Sequence, residues 1–117
     1  MPTFAVYTNL PKGKIPDDFL QATTDYIAER LNKPKSYVCV RVHPEQIMSF
    51  GGTTEPCASV DLYSIGSFED KDKNNDHAEK IGEYIRKKLE IPIDRFYITF
   101  FNLERHMCGY NGKTFAK

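Results

Sequence analysis

Two periodicities alternate along this chain, and their order repeats. Thr3–Thr8 is a short run rich in β-formers that ends in the turn signals Asn9, Pro11 and Gly13. Phe19, Leu20, Thr23, Tyr26, Ile27 and Leu31 then recur at three- and four-residue spacing, which predicts an amphipathic helix. Pro16 suits its first turn, and Asp17 and Asp18 complement the positive end of its dipole. Lys33-Pro34 stops it. Tyr37–Val42 reads as the next strand, with Val38, Val40 and Val42 on one face.

After Gly51-Gly52 the order returns. Ala58–Ile65 predicts a strand and Asn74–Asp76 supplies N-cap residues. Ala78, Ile81, Tyr84, Ile85 and Leu89 form a second helical stripe, Pro92 stops it, and Arg95–Phe101 predicts a fourth strand. Leu31-x-x-Pro34 and Leu89-x-x-Pro92 stand 58 positions apart. Such a repeat implies two β-α-β units related by pseudo-symmetry. A helical crossover makes each strand pair parallel. The expected fold is α+β: one domain over residues 1–117, a four-stranded mixed sheet with both helices on one face, and short C-terminal β structure turned by Asn111-Gly112. The other face of the sheet is expected to be apolar and uncovered, which calls for a homo-oligomer.

Composition narrows the function. Lys plus Arg and Asp plus Glu number 16 each, so no net field draws the chain to nucleic acid or an anionic membrane. No run approaches the roughly 18 apolar residues of a bilayer span. Met1–Thr8 lacks the basic and apolar regions of a signal peptide, which predicts cytoplasmic synthesis. Cys39, Cys57 and Cys108 are too few and too scattered for a disulfide framework, and no Cys/His spacing marks a zinc site.

The candidate chemistry is spread out. Removal of Met1 would leave Pro2 as a secondary amine. An α-amino group titrates near roughly 8 in water, and an apolar pocket lowers that value, making a general base at cellular pH. Lys33, between helix and strand, can bind a carboxylate, or simply be a solvated helix-end charge. A backbone N–H at the Ser64-Ile65-Gly66 strand end can hold an oxyanion. Tyr97 and Thr99 share one side of the fourth strand, and Tyr110 and Phe115 can wall a ring-shaped substrate or only pack. Phe50-Gly51-Gly52 lacks the Lys-Ser/Thr of a phosphate loop. Arg86-Lys87-Lys88 reads as a solvated helix end, and His43, His77 and His106 show no triad pattern.

Met1-Pro2, Thr8-Asn9-Leu10-Pro11, Gly51-Gly52-Thr53-Thr54-Glu55-Pro56-Cys57-Ala58, Ser64-Ile65-Gly66, Asp94-Arg95-Phe96-Tyr97-Ile98 and Tyr110-Asn111-Gly112-Lys113-Thr114-Phe115 together resemble the macrophage migration inhibitory factor family of the tautomerase superfamily, across the full length. The Tyr97-Ile98 strand and the Gly109-Tyr110-Asn111 tail look more like that branch than the D-dopachrome tautomerase branch. The resemblance implies a homotrimer with sites between subunits and no metal or organic cofactor. It implies keto–enol tautomerisation of phenylpyruvate-like substrates and L-dopachrome isomerisation, with a small aromatic keto acid as substrate. Pro2 would be catalytic. Lys33 and the Ile65 N–H would bind substrate, joined by Tyr97 and Thr99 of a neighbouring subunit. Tyr37, Val40, Cys108, Tyr110 and Phe115 would line the pocket.

Four departures qualify it. Thr99 stands where asparagine is familiar and reaches less far, and Tyr110 stands where tryptophan is frequent. Tyr63 replaces a common histidine. Cys57-Ala58-Ser59-Val60 lacks the second cysteine of a dithiol motif. The resemblance equally implies a secreted, cytokine-like ligand released by a non-classical route, with Lys12 and Glu45 in receptor-contact positions and the pocket either active or vestigial. A ferredoxin-like small-molecule sensor would fit the doubled pattern but not these motifs.

Overall fold

In the computed structural model, which describes all of residues 1–117, the doubled pattern resolves into one four-stranded sheet and two long helices. Strands β1 (Thr3–Thr8), β2 (Cys39–His43), β3 (Ala58–Ile65) and β4 (Phe96–Leu103) lie in the order β2-β1-β3-β4. Helix α1 (Phe19–Leu31) connects the parallel pair β1 and β2, and α2 (Lys71–Leu89) connects the parallel pair β3 and β4. The two units meet antiparallel along β1 and β3. A hairpin, β5 (Gly109–Tyr110) with β6 (Lys113–Thr114), closes the chain. Its turn residues Asn111 and Gly112 take φ of 55° and 84°, the left-handed pair that a two-residue hairpin needs.

Helix and strand ends depart from the expected positions for local reasons. Pro16 precedes α1 rather than opening it, because its carbonyl is used by the Phe19 N–H at 3.0 Å in the turn before the helix. A 3-10 turn at Lys35–Tyr37 follows Pro34, so β2 starts at Cys39 rather than Tyr37. The cap of helix α2 lies four residues before the expected one. Asp70 caps it, its Oδ1 accepting from the Asp72 N–H at 2.9 Å and the Lys73 N–H at 3.2 Å. Asn74 and Asp76 are instead used inside the helix, Asn74 donating to the Phe68 carbonyl and Asp76 pairing with Arg30.

The 58-residue repeat is a pseudo-twofold axis. Phe4 lies directly opposite Leu62, its own counterpart, where β1 meets β3. Tyr26 stacks on its counterpart Tyr84 where the helices meet, with centroids 4.0 Å apart and planes 9° off parallel. The buried stripe of α1, Phe19, Thr23, Ile27 and Leu31, maps onto His77, Ile81, Ile85 and Leu89 of α2. Both helices end on a left-handed residue, Asn32 at φ 53° and Glu90 at φ 56°. The core lies between helices and sheet. Phe4, Val6, Val60 and Leu62 meet Phe19, Ile27, Ile81 and Ile85, all fully buried. Burying each such side chain is worth about 1.5–3 kcal/mol.

The outer face of the sheet is not the apolar surface expected from the strand composition. Strand alternation places polar Thr3, Arg41, His43, Ser59, Asp61 and Thr99 there, among apolar and aromatic Ala5, Tyr7, Cys39, Tyr63, Ile65, Tyr97, Phe101 and Leu103. Aromatic stacks run across it, Tyr7 on His43 at 4.5 Å and Tyr63 on Phe101 at 4.3 Å. The face is amphipathic, and no element of the chain covers it.

Candidate active site at the chain start

Three segment ends converge at one corner: the start of β1, the end of α1 and the end of β3. The parallel ladder fixes the first, since the Cys39 N–H donates to the Pro2 carbonyl at 2.9 Å. The Pro2 side chain is fully buried. The left-handed Asn32 turns the chain out of α1, with the Asn32 and Lys33 N–H groups bonded to the Glu29 and Ala28 carbonyls at 3.2 and 2.9 Å. That turn aims Lys33 across the sheet end, and its Nζ donates to the Ile65 carbonyl at 3.2 Å. Gly66, at φ 68°, then turns the chain away from β3, in a conformation that side chains other than glycine disfavour.

An open cleft of about 870 Å³ fills this corner, and Met1, Lys33, Tyr37, Ile65 and Phe115 all line it. The C-terminal segment supplies an aromatic wall. Tyr37 stands edge-on to Tyr110 and Phe115, with centroids at 5.2 and 5.8 Å. The Phe115 N–H donates to the Cys108 carbonyl at 3.1 Å, which ties the tail to that wall. Burial first, and then the Lys33 ammonium, push the Met1 amine below its ordinary 8.0 against an opposing influence of Cys108. The corner therefore favours an uncharged amine beside a cation, an arrangement that can accept a proton and hold an anion.

Not every residue singled out in the sequence lines this cleft: Pro2, Cys108 and Tyr110 stand outside its lining, and Tyr110 meets it only through its contacts with Tyr37 and Phe115. Val40 pairs with Phe4 and packs on the core. It borders a different cavity, shared with Phe19 and Arg41. Alternation along β2 points it toward α1 rather than toward Lys33. Tyr97 and Thr99 sit on the outer face of β4. Tyr97 is 70% exposed and leans on Phe50 at 4.9 Å. Within one chain neither reaches Lys33's cleft. The cleft also contains Glu69, Asn102, Glu104 and Arg105, which the sequence pattern did not single out. Their signal was the parallel register: Ile65 pairs with Leu103, so whatever follows Leu103 must emerge at the same sheet edge. No group of three or more His, Cys, Asp or Glu side chains is placed to hold a metal ion, and no helix is long and apolar enough to cross a membrane.

Comparison with known proteins follows the same lines. Residues 1–116 match the family described as macrophage migration inhibitory factor. The chain is 44% identical over 115 residues to a macrophage migration inhibitory factor homolog of Trichinella spiralis, covering 98% of this chain and all of that one. It is 39% identical to macrophage migration inhibitory factor of Xenopus tropicalis, covering 99% of this chain and all of that one. Among solved structures, the Trichinella spiralis factor superposes with a TM-score of 0.91 at 38% identity, covering 96% of this chain and 98% of that one. A homologue from Prochlorococcus marinus gives 0.88 at 32% identity, covering 97% and 98%.

Proposed function

The chain belongs to the macrophage migration inhibitory factor family, and from that premise we propose that it is a keto–enol tautomerase whose general base is the amine of Pro2, freed by loss of Met1. The observation that carries this reading is the convergence of the chain start, Lys33 and Ile65 on one cleft, with the amine held below its ordinary value. Pro2 is buried more deeply than Met1, so moving the amine one residue inward increases its desolvation. The secondary amine takes a proton from the carbon beside a ketone, leaving an enolate, and the resulting ammonium returns a proton to the enolate oxygen to give the enol, while the Lys33 ammonium holds the substrate carboxylate. Tyr37, Tyr110 and Phe115 suit a phenyl or hydroxyphenyl ring, which makes phenylpyruvate-like and dopachrome-like compounds the substrate class.

The assembly belongs to the same proposal. The uncovered outer face, and the exposure of Tyr97 and Thr99 on it, support a homotrimer in which these two residues complete a neighbour's cleft. Sedimentation velocity reads the assembly directly. The catalytic proposal is tested by mass spectrometry of the N-terminus together with enolisation of phenylpyruvate. Processed protein that turns over no faster than buffer refutes it, as does equal turnover by protein that retains Met1.

A second reading, a secreted ligand for a cell-surface receptor, is favoured by one contact. The Lys12 N–H donates to Glu45 Oε2 at 3.1 Å, which sets these two exposed residues side by side. Made in the cytoplasm and released without a signal peptide, the protein would present that pair far from the cleft. Charge reversal at both positions should abolish receptor binding and leave tautomerisation intact.

A further inference from the structure

On the other flank of Lys33 lies a second cavity, of about 360 Å³, whose charged lining is entirely basic: Arg30, Lys33, Lys73 and His77, with Asn32 and Ser67. The proposed tautomerisation uses neither Arg30, Lys73 nor His77. Two polar atoms here are buried without a partner, Arg30 Nε and His77 Nδ1, and His77 as a whole is only 8% exposed. Asp76 is the one carboxylate in contact, and it engages only Arg30 Nη2, at 2.6 Å. Lys33 and Lys73 form no ion pair. The negative end of α1 is partly quenched, because the Ala28 and Glu29 carbonyls already accept from Lys33 and Asn32. Three cations converge on this cavity with one carboxylate among them, a charge imbalance that a bound anion would offset.

We propose that this cavity is a binding site for a tetrahedral phosphate-type oxyanion, held between Arg30 of α1 and Lys73 of α2, over His77, with Lys33 as the wall shared with the cleft. Three cations approaching from two helices and a loop match a multiply charged tetrahedral group better than a planar carboxylate, which one forked guanidinium satisfies. The assignment stands apart from the catalytic reading, because it requires only binding.

Inorganic phosphate is the probe, titrated into the full-length protein while the His77 ring is followed by NMR. The expected result is a saturable millimolar shift of the His77 resonances. Protonation of His77 favours the anion as pH falls while protonation of the phosphate dianion opposes it, so affinities are compared at one fixed pH above the second pKa of phosphate, which is about 6–7. The charged groups facing that ring are Arg30, Asp76 and Lys73. Lys73 is exposed on α2, so Lys73→Gln leaves the fold intact, and it should weaken binding roughly fivefold. Tyr37→Phe, in the cleft wall, should leave the phosphate affinity unchanged. A parallel titration with methyl phosphate assigns the source: tighter binding than phosphate marks a monoester ligand, weaker binding a free ion. The proposal is overturned if neither anion moves the His77 resonances, if only cleft residues respond, or if Lys73→Gln binds phosphate as tightly as the unmodified chain.

Discussion

The pseudo-twofold axis gives this molecule two equivalent corners, and only one of them opens at the chain start; the second keeps a smaller cavity of about 510 Å³ beside Arg86, Lys87, Glu90, Ile91 and Pro92. At the first, α1 ends at Asn32, Lys33 follows, and a cleft of about 870 Å³ lies beside the chain start. At the second, α2 ends at Glu90, and the counterpart of Lys33 is Ile91, fully buried. The counterpart of Pro2 is Val60, in the middle of β3 and equally buried. The loop before β3 is tied down at this end, with the Arg95 guanidinium donating to the Pro56 and Glu55 carbonyls, each at 3.0 Å. One scaffold thus serves two ends. A chain break and a lysine make one corner chemical. A continuous strand and an isoleucine make the other structural.

The sharpest way to break the comparison is to exchange the key residue. Ile91→Lys puts an unpaired ammonium into a packed site and should cost about 3–5 kcal/mol, read from urea unfolding. Ile91→Leu, which keeps the volume, should cost less than about 1.5 kcal/mol. A lysine tolerated at position 91 would mean that the Ile91 side chain is not tightly packed. At the open corner, Pro2→Gly or retention of Met1 should lower kcat/KM for phenylpyruvate by roughly 10²–10³-fold, the usual worth of a positioned base. The corner that lowers the Met1 amine sets the expected sign once Pro2 carries the free amine: kcat/KM rises as that amine deprotonates and levels off below the ordinary 8.0 of an α-amino group. A profile still climbing above that pH would show that the cleft does not depress the base. Lys33→Gln should then raise KM about tenfold with a smaller change in kcat, the pattern of a lost carboxylate contact.

The smallest expected effect contrasts Phe19 with its counterpart His77. Burial, and then Arg30, hold His77 below its ordinary 6.5. The unfolded chain therefore binds the extra proton first. Stability is full above about pH 6.5 and falls as pH drops from there toward the folded value. His77→Phe should flatten this acid limb of the urea midpoint while changing stability little at pH 7. An unchanged acid limb would place the sensitivity elsewhere.

Much of this was legible beforehand because it depends on short-range spacing. Both stripes, both helix stops and the hairpin at Asn111-Gly112 are statements about residues within a few positions of one another. The start of α2 was misplaced because Asn74 and Asp76 have the same capping chemistry as Asp70, and only the folded chain shows that Phe68 and Arg30 claim them first. The polar residues on the amphipathic outer face are not legible in the sequence, because strand composition does not show which alternate residue turns outward until the register with β1 is fixed. For the site, Lys33, Ile65, Tyr37 and Phe115 do meet. Val40 does not join them, and Tyr97 and Thr99 face the other way.

The sequence by itself determined the repeat, the element types, the stripe that each helix buries and the residues able to do chemistry, because periodicity and side-chain type are local properties. The tertiary structure decided which of those residues share a cavity. It buried Ile91 at one pseudo-equivalent corner and set Lys33 beside the chain start at the other. It also gathered Arg30, Lys73 and His77 from two helices around a second cavity. Those outcomes depend on strand register and on the handing of hydrogen bonds between distant segments, and no local pattern in the chain carries either.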